Sequence, residues 1–228
     1  MTHPIKYLAL VVSSLALVAC GGGGGGGTTV SGATAPIISD TSGTSDTAVT
    51  PDTSVASAAL AKYEGVWQQA CVDHMRLTMT LKATSANIFT VTPIETYFAN
   101  ANCTGDVVAL GGYGGPSEIV EYFDIVNAAI TLKDGSAITA DVNPATSSIA
   151  TATFALTGSG VKPSYNFGGT IMTPIQYADE ILPRLYPARA LTGGTTQGAL
   201  LLRNEELLTL VPVAGVPNSY TVKLQFFR

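Results

Sequence analysis

Few side chains in this 228-residue chain have the chemistry for catalysis or metal binding. His74 stands beside Asp73, and a histidine next to a carboxylate can shuttle protons or hold a metal ion. The only other histidine, His3, lies in the leading segment expected to be removed, and a single histidine cannot make a multi-histidine zinc site. Nucleophilic catalysis through a serine would have to use His74, yet no Gly-x-Ser-x-Gly elbow occurs. Gly158-Ser159-Gly160 has the wrong spacing and reads as a turn. Paired carboxylates at Glu118/Glu121, Asp179/Glu180 and Glu205/Glu206 have the chemistry for acid–base or glycosidase work if they flank a cleft. Adjacent acids at strand ends more commonly face water, and His74 reads as a solvated turn residue at a strand edge. The expectation is therefore no catalytic residue, no metal site and no cofactor.

Charge narrows the partners. Acidic residues outnumber basic ones 16 to 11, with no cluster of lysine or arginine, so no nucleic-acid partner is expected. Lys6 and the amino terminus precede an apolar run over residues 7–17, too short for the roughly 20 residues of a membrane-spanning helix. The run reads as a secretory signal segment. It ends in Leu17-Val18-Ala19-Cys20, which resembles the lipobox of bacterial lipoproteins. The resemblance implies that residues 1–19 are removed, taking His3 with them, and that Cys20 becomes the lipidated first residue. Two or more acyl chains hold a protein stably on a membrane, at about 0.8 kcal/mol per buried CH₂. Gly21 occupies the position where aspartate favours inner-membrane retention. The implied address is the outer membrane of a Gram-negative envelope, with the membrane as a partner through the lipid. An ordinary signal peptide cleaved nearby, or a short anchor left in place, is the alternative.

Residues 21–27 are seven consecutive glycines, and 14 of the 30 residues at 28–57 are serine or threonine. Asp40, Asp46 and Asp52 are the only charges there. Such a stretch cannot bury enough apolar surface to offset the entropy lost on ordering. Residues 20–57 therefore read as the lipidated cysteine plus a disordered linker, with a root-mean-square reach of roughly 30–35 Å. No lysine-serine or lysine-threonine step follows the glycines, so they make no phosphate-binding loop.

From residue 58 onward the pattern alternates. Met75, Leu77, Met79 and Leu81 interleave with Arg76, Thr78, Thr80 and Lys82, and Tyr220, Val222, Leu224 and Phe226 do likewise with polar neighbours. Shorter copies occur at 89–92, 129–133, 138–142 and 150–156. Period two with one apolar face marks half-buried antiparallel strands. Turn chemistry at 102–105, 111–116, 134–135, 143–144 and 215–218 divides residues 58–228 into eight to ten strands. Residues 57–63 read as a short helix, and 174–187 as a short helix or folded-over loop. Lys62-Tyr63-Glu64-Gly65-Val66-Trp67 resembles the Lys-aromatic-x-Gly-x-Trp start of the first strand in lipocalins. That likeness implies an all-β, up-and-down antiparallel barrel with Trp67 beneath a basic residue near the last strand, Arg203 or Lys223. Another antiparallel barrel or a sandwich is the alternative. The layout is also similar to small uncharacterised proteobacterial lipoproteins with a lipobox, a Gly-rich tether, a Gly-x-Trp-x-x-x-Cys strand and a later cysteine.

With Cys20 taken by lipid, Cys71 and Cys103 remain as a pair expected to bond in an oxidising envelope, two buried thiols being the alternative. Their 32-residue separation makes the bond worth roughly 3–4 kcal/mol by loop-closure entropy. Two functions fit. Met75, Leu77, Met79, Leu81, Tyr220 and Leu224, all facing inward, can line a cavity for a small apolar ligand. The same residues can instead fill the interior of a structural or interaction lipoprotein that engages an envelope protein through its outer surface. An enzyme and an integral outer-membrane barrel fit less well. Metabolic labelling with a fatty acid should mark the wild-type protein and not Cys20→Ala; an unlabelled wild type removes the anchor.

Overall fold

A computed structural model describes residues 57–228. The expected signal segment, Cys20 and nearly all of the expected linker lie outside the described residues. The described part is all-β, and among these residues no helix is long and apolar enough to cross a membrane. It opens with a single 3-10 turn, Ala61–Tyr63, within the stretch expected to be helical.

Eight strands follow one another in chain order and close into a ring. They are β1 (Gly65–Gln68), β2 (Met75–Ala83), β3 (Ile88–Phe98), β5 (Glu118–Tyr122), β7 (Ala137–Ile149), β14 (Gly194–Arg203), β15 (Glu206–Pro212) and β16 (Ser219–Phe227). Each pairs antiparallel with the next, and β16 returns to β1. The remaining strands are additions. β4 (Val107–Gly112) and β6 (Val126–Thr131) attach to the far halves of β3 and β7, and β9 (Ala155–Thr157) continues from β4. A small sheet holds β10 (Tyr165–Phe167), β11 (Thr170–Ile175) and β12 (Arg184–Pro187); β8 (Ala152–Thr153) pairs with β13 (Ala190–Leu191). These short additions explain why the strands outnumber the eight to ten expected. Residues 174–187 form no helix: they are the end of β11, a loop at 176–183, and β12.

All eight ring strands contribute to one apolar cluster, including Trp67, Leu77, Met79, Phe89, Tyr122 and Phe226. Polar side chains alternate with these along β2, so the ring is apolar inside and polar outside there. A second cluster lies on the other face of β14 and β15, where Leu201, Leu208 and Leu210 meet Ile130 and Val142. Tyr220 belongs to this second core, not to the ring interior as its alternation implied. The cause is a β-bulge. Leu210 pairs with Val222 while Thr209 pairs with Leu224, leaving Lys223 as an extra residue. An extra residue flips every later side chain to the opposite face, so Tyr220 and Val222 face outward and Leu224 and Phe226 face inward.

Asn143-Pro144, expected as a turn, lies inside β7. Here β7 changes neighbours: its pairing with β6 ends at Val142 and its pairing with β5 begins at Ala145. Proline lacks the N–H a ladder needs, and it sits at the gap between partners. Asn143 accepts a hydrogen bond from Tyr63 Oη at 2.8 Å and donates to the Phe123 carbonyl, which satisfies a buried polar group.

Only Gln68 and Phe227 pair between β1 and β16, so side chains hold the seam. Trp67 is fully buried and donates from Nε1 to the Tyr63 carbonyl at 2.8 Å. Arg228 lies over the indole at 4.4 Å and donates to the carbonyls of Lys62 and Glu64. The basic partner is thus Arg228 rather than Arg203 or Lys223, because it is the residue that directly follows the closing strand. Trp67→Ala should lower stability to urea by about 3–5 kcal/mol, and Arg228→Ala by about 1 kcal/mol. An Arg228→Ala loss no larger than that of Lys223→Ala would mean the stacking contributes nothing.

Candidate functional site: a buried histidine beneath two carboxylates

The ring interior is occupied by its own side chains. Tyr63, Trp67, Phe89, Leu207 and Phe226 are each almost wholly buried there, with Tyr122 edge-on to Phe89 at 5.2 Å. Two concavities of about 220 and 180 Å³ lie elsewhere, and only Ala145 of the interior cluster borders either.

Chemically capable groups gather instead at the end of the β1–β2 hairpin. Val72 and Met75 exchange backbone hydrogen bonds around Asp73-His74, whose φ angles of 49° and 74° make both residues left-handed. A two-residue hairpin turn of this kind favours Asn-Gly, so histidine occupies a costly position. It is held by long-range contacts. The His74 N–H donates to Ala101 O, its carbonyl accepts from Phe98 N, and its ring stacks on Tyr177 at 3.9 Å. The Cys71 and Cys103 sulfurs are at bonding distance, 2.03 Å, and join the hairpin to the loop carrying Ala101. His74 is 0% exposed, which corrects the expectation of a solvated turn residue. It does lie in a turn, but that turn is roofed by segments 24 to more than 100 positions away.

The carboxylates arrive on the 176–183 loop. Nδ1 of His74 lies 3.0 Å from the Phe98 carbonyl oxygen; a carbonyl only accepts, so Nδ1 carries the proton. Nε2 then faces Asp179 Oδ1 at 3.4 Å and Glu180 Oε1 at 3.6 Å. The other oxygen of Asp179 accepts from Ala101 N at 3.0 Å. Arg184 grips Glu180 with two nitrogens and reaches Asp73 with a third. Hydrogen bonding to Arg184 holds the Asp73 carboxyl below its ordinary range, and Glu180 raises the Arg184 guanidinium further. Asp179 and Glu180, expected as solvated acids, thus stand at a buried imidazole, with Glu180 only partly exposed. No local signal joins them to His74, which lies 105 positions before Asp179.

The other acids differ. Glu121 and Glu205 face solvent, and Glu206 accepts from Gln225. Glu118 is half-buried on the strand face of Val91, and burial raises its carboxyl while Ser147 and Lys223 partly offset that. Sequence reading missed Glu95, which is buried and bound by both terminal nitrogens of Arg189 at 2.8 and 2.7 Å. Tyr97 donates to the same carboxylate, and burial, then the Glu95 charge, keep that phenol protonated. Burial works against the Arg189 charge, but Glu95 outweighs it and raises the guanidinium. Arg189 also lies 3.7 Å from the centre of the Phe154 ring, and Phe154 presses on Gly111 so closely that a Cβ there would fall 2.3 Å from it. Gly111 and Gly112 are therefore strand residues, and the expected 111–116 turn begins only after them. Both oxygens of Glu95 and both terminal nitrogens of Arg189 are partnered, so the pair braces the point where β3 leaves the ring.

Comparison with known proteins finds no matching family model, no matching curated protein and no matching solved structure.

Glu95→Gln leaves Arg189 without its counter-charge and should lower unfolding free energy by about 2–4 kcal/mol. The double variant Glu95→Gln/Arg189→Met should recover part of that loss. Unchanged urea midpoints for the single variant would show that the pair does not brace the fork.

Proposed function

We propose that this protein is a lipid-anchored cell-envelope lipoprotein whose folded domain is a filled, lipocalin-like up-and-down barrel acting through its outer surface. The observation that carries the reading is the interior: aromatic and aliphatic side chains from all eight ring strands occupy the space a ligand would need. The barrel reading is supported by eight consecutive antiparallel pairings and by Trp67 beneath Arg228, the arrangement implied by the Gly-x-Trp resemblance. A membrane-spanning barrel needs an apolar outer face, whereas β2 carries Arg76, Thr78, Thr80 and Lys82 outside.

An envelope protein is the partner this surface suits. Phe167 is 68% exposed at the tip of the small sheet, and Ile181 and Leu182 are 97% and 75% exposed in the 176–183 loop. Leaving large apolar side chains in water is unfavourable, and the adjacent Ile181 and Leu182 favour a contact made at that loop, at the opposite end of β11 from Phe167. Anchoring at Cys20 and the long linker would let that loop meet a partner held in the same membrane.

Native mass spectrometry of detergent-extracted full-length protein separates this reading from a ligand carrier. The expected mass is that of the lipidated polypeptide with no bound organic molecule. A stoichiometric apolar ligand that survives purification would overturn the filled interior.

A further inference from the structure

We propose that His74, Asp179 and Glu180 form a binding site for a divalent transition-metal ion, with Zn²⁺ the best match. The argument starts from one atom. Among the described residues, His74 Nε2 is the buried side-chain nitrogen or oxygen left without a hydrogen-bond partner. Because Nδ1 already donates to Phe98 O, the neutral ring presents a lone pair at Nε2, and that lone pair points at two carboxylate oxygens. Three acceptors facing one another repel unless something positive lies between them. The separations from Nε2 to the two carboxylate oxygens are 3.4 and 3.6 Å. Ligands about 2.0–2.1 Å from a tetrahedral zinc ion stand roughly 3.4 Å apart. The three ligand atoms lie within 4.8 Å of one another, so small side-chain adjustments suffice.

The surroundings suit a cation. Of the three carboxylates gathered here, Asp73 and Glu180 share the Arg184 guanidinium and Asp179 has no ion pair with it, so a divalent ion would balance the two excess negative charges. His74 and Asp179 are also oriented from behind, as bound metals require. Phe98 O fixes the imidazole tautomer and Ala101 N holds the second oxygen of Asp179, while Arg184 binds both oxygens of Glu180, the facing Oε1 included. One imidazole and two carboxylates suit zinc better than calcium or magnesium, which prefer oxygen-only shells. Asp179 is 39% exposed and provides the route from solvent. The ion would tie two segments together, the β1–β2 turn and the loop before β12, and the disulfide loop joins them through Ala101 N on Asp179. This proposal is independent of the filled barrel and stands or falls separately.

The test uses full-length protein in detergent, stripped with EDTA, dialysed at pH 7 and titrated with ZnCl₂ by calorimetry. One Zn²⁺ per chain should bind, and equal Mg²⁺ or Ca²⁺ should not displace it. His74 and His3 are the two histidines of the chain, so ¹⁵N-histidine NMR should show one imidazole, absent from the spectrum of His74→Gln, whose Nε2 resonance shifts with zinc. Asp179→Asn retains an oxygen for Ala101 N, should fold normally, and should weaken binding by more than the roughly 10–100-fold that loss of an outer-shell partner costs. His74→Gln should abolish binding; if that variant does not fold, Asp179→Asn and the NMR shift decide. No zinc binding by the wild type, binding without an Nε2 shift, or undiminished affinity in Asp179→Asn would each overturn the site.

Discussion

Closing a sheet into a ring removes its edges only if the first and last strands can be held together, and here the backbone does little of that. β1 has four residues, and a single pair joins it to β16. The seam depends on Trp67, clamped from outside by Arg228 and from its own strand side by the Tyr63 carbonyl. Because Arg228 also donates to Lys62 and Glu64, the chain end fastens the 3-10 turn that precedes β1. The same turn sends Tyr63 inward to stack near Tyr122 and to reach Asn143 across the ring. One indole thus links closure, interior filling and the satisfaction of a buried amide.

Two ring strands are longer than the ring needs, and β4 and β6 pair with their extensions, β6 also running parallel to β16. β3 pairs with β5 through Ile88–Val91 and with β4 beyond Ile94; β7 pairs with β6 before Asn143 and with β5 and β14 after it. At each fork the strand meets a physical problem and a matching residue. Pro144 occupies the gap between β6 and β5 while its other side pairs with Ala199 of β14, and Glu95 with Arg189 lies at the divergence of β3. The β3 fork leads to the third apolar cluster, where Tyr97, Ile175 and Tyr177 support the loop that sets Asp179 and Glu180 over His74. The candidate metal site thereby joins a ring hairpin, which supplies His74, to an added loop, which supplies both carboxylates.

Local patterning made much of the all-β character legible. The alternation at 75–82 and 220–226 located β2 and β16, because one apolar face per strand is a local property of period two. The same rule misplaced Tyr220: an apolar–polar alternation runs unbroken through a bulge, and only the register opposite Thr209 and Leu210 reveals the extra residue. Asn143-Pro144 carries turn chemistry, yet whether a proline ends a strand depends on which neighbour is present at that position. Glu95 and Arg189 lie 94 positions apart and carry no mark of pairing.

By itself, the sequence determined the strand periodicity, the uneven make-up of the chain before and after residue 58, and a cysteine pair 32 residues apart. Those are properties of composition and near neighbours. The tertiary structure decided which strands close the ring, which arginine caps Trp67, and that the interior is full. It alone turned His74 from an ordinary turn residue into a buried imidazole facing two acids. The physical reason is range: His74 gains its burial from Phe98 and Tyr177 and its carboxylates from a loop 105 positions later, and such distances in sequence are set by folding rather than by pattern.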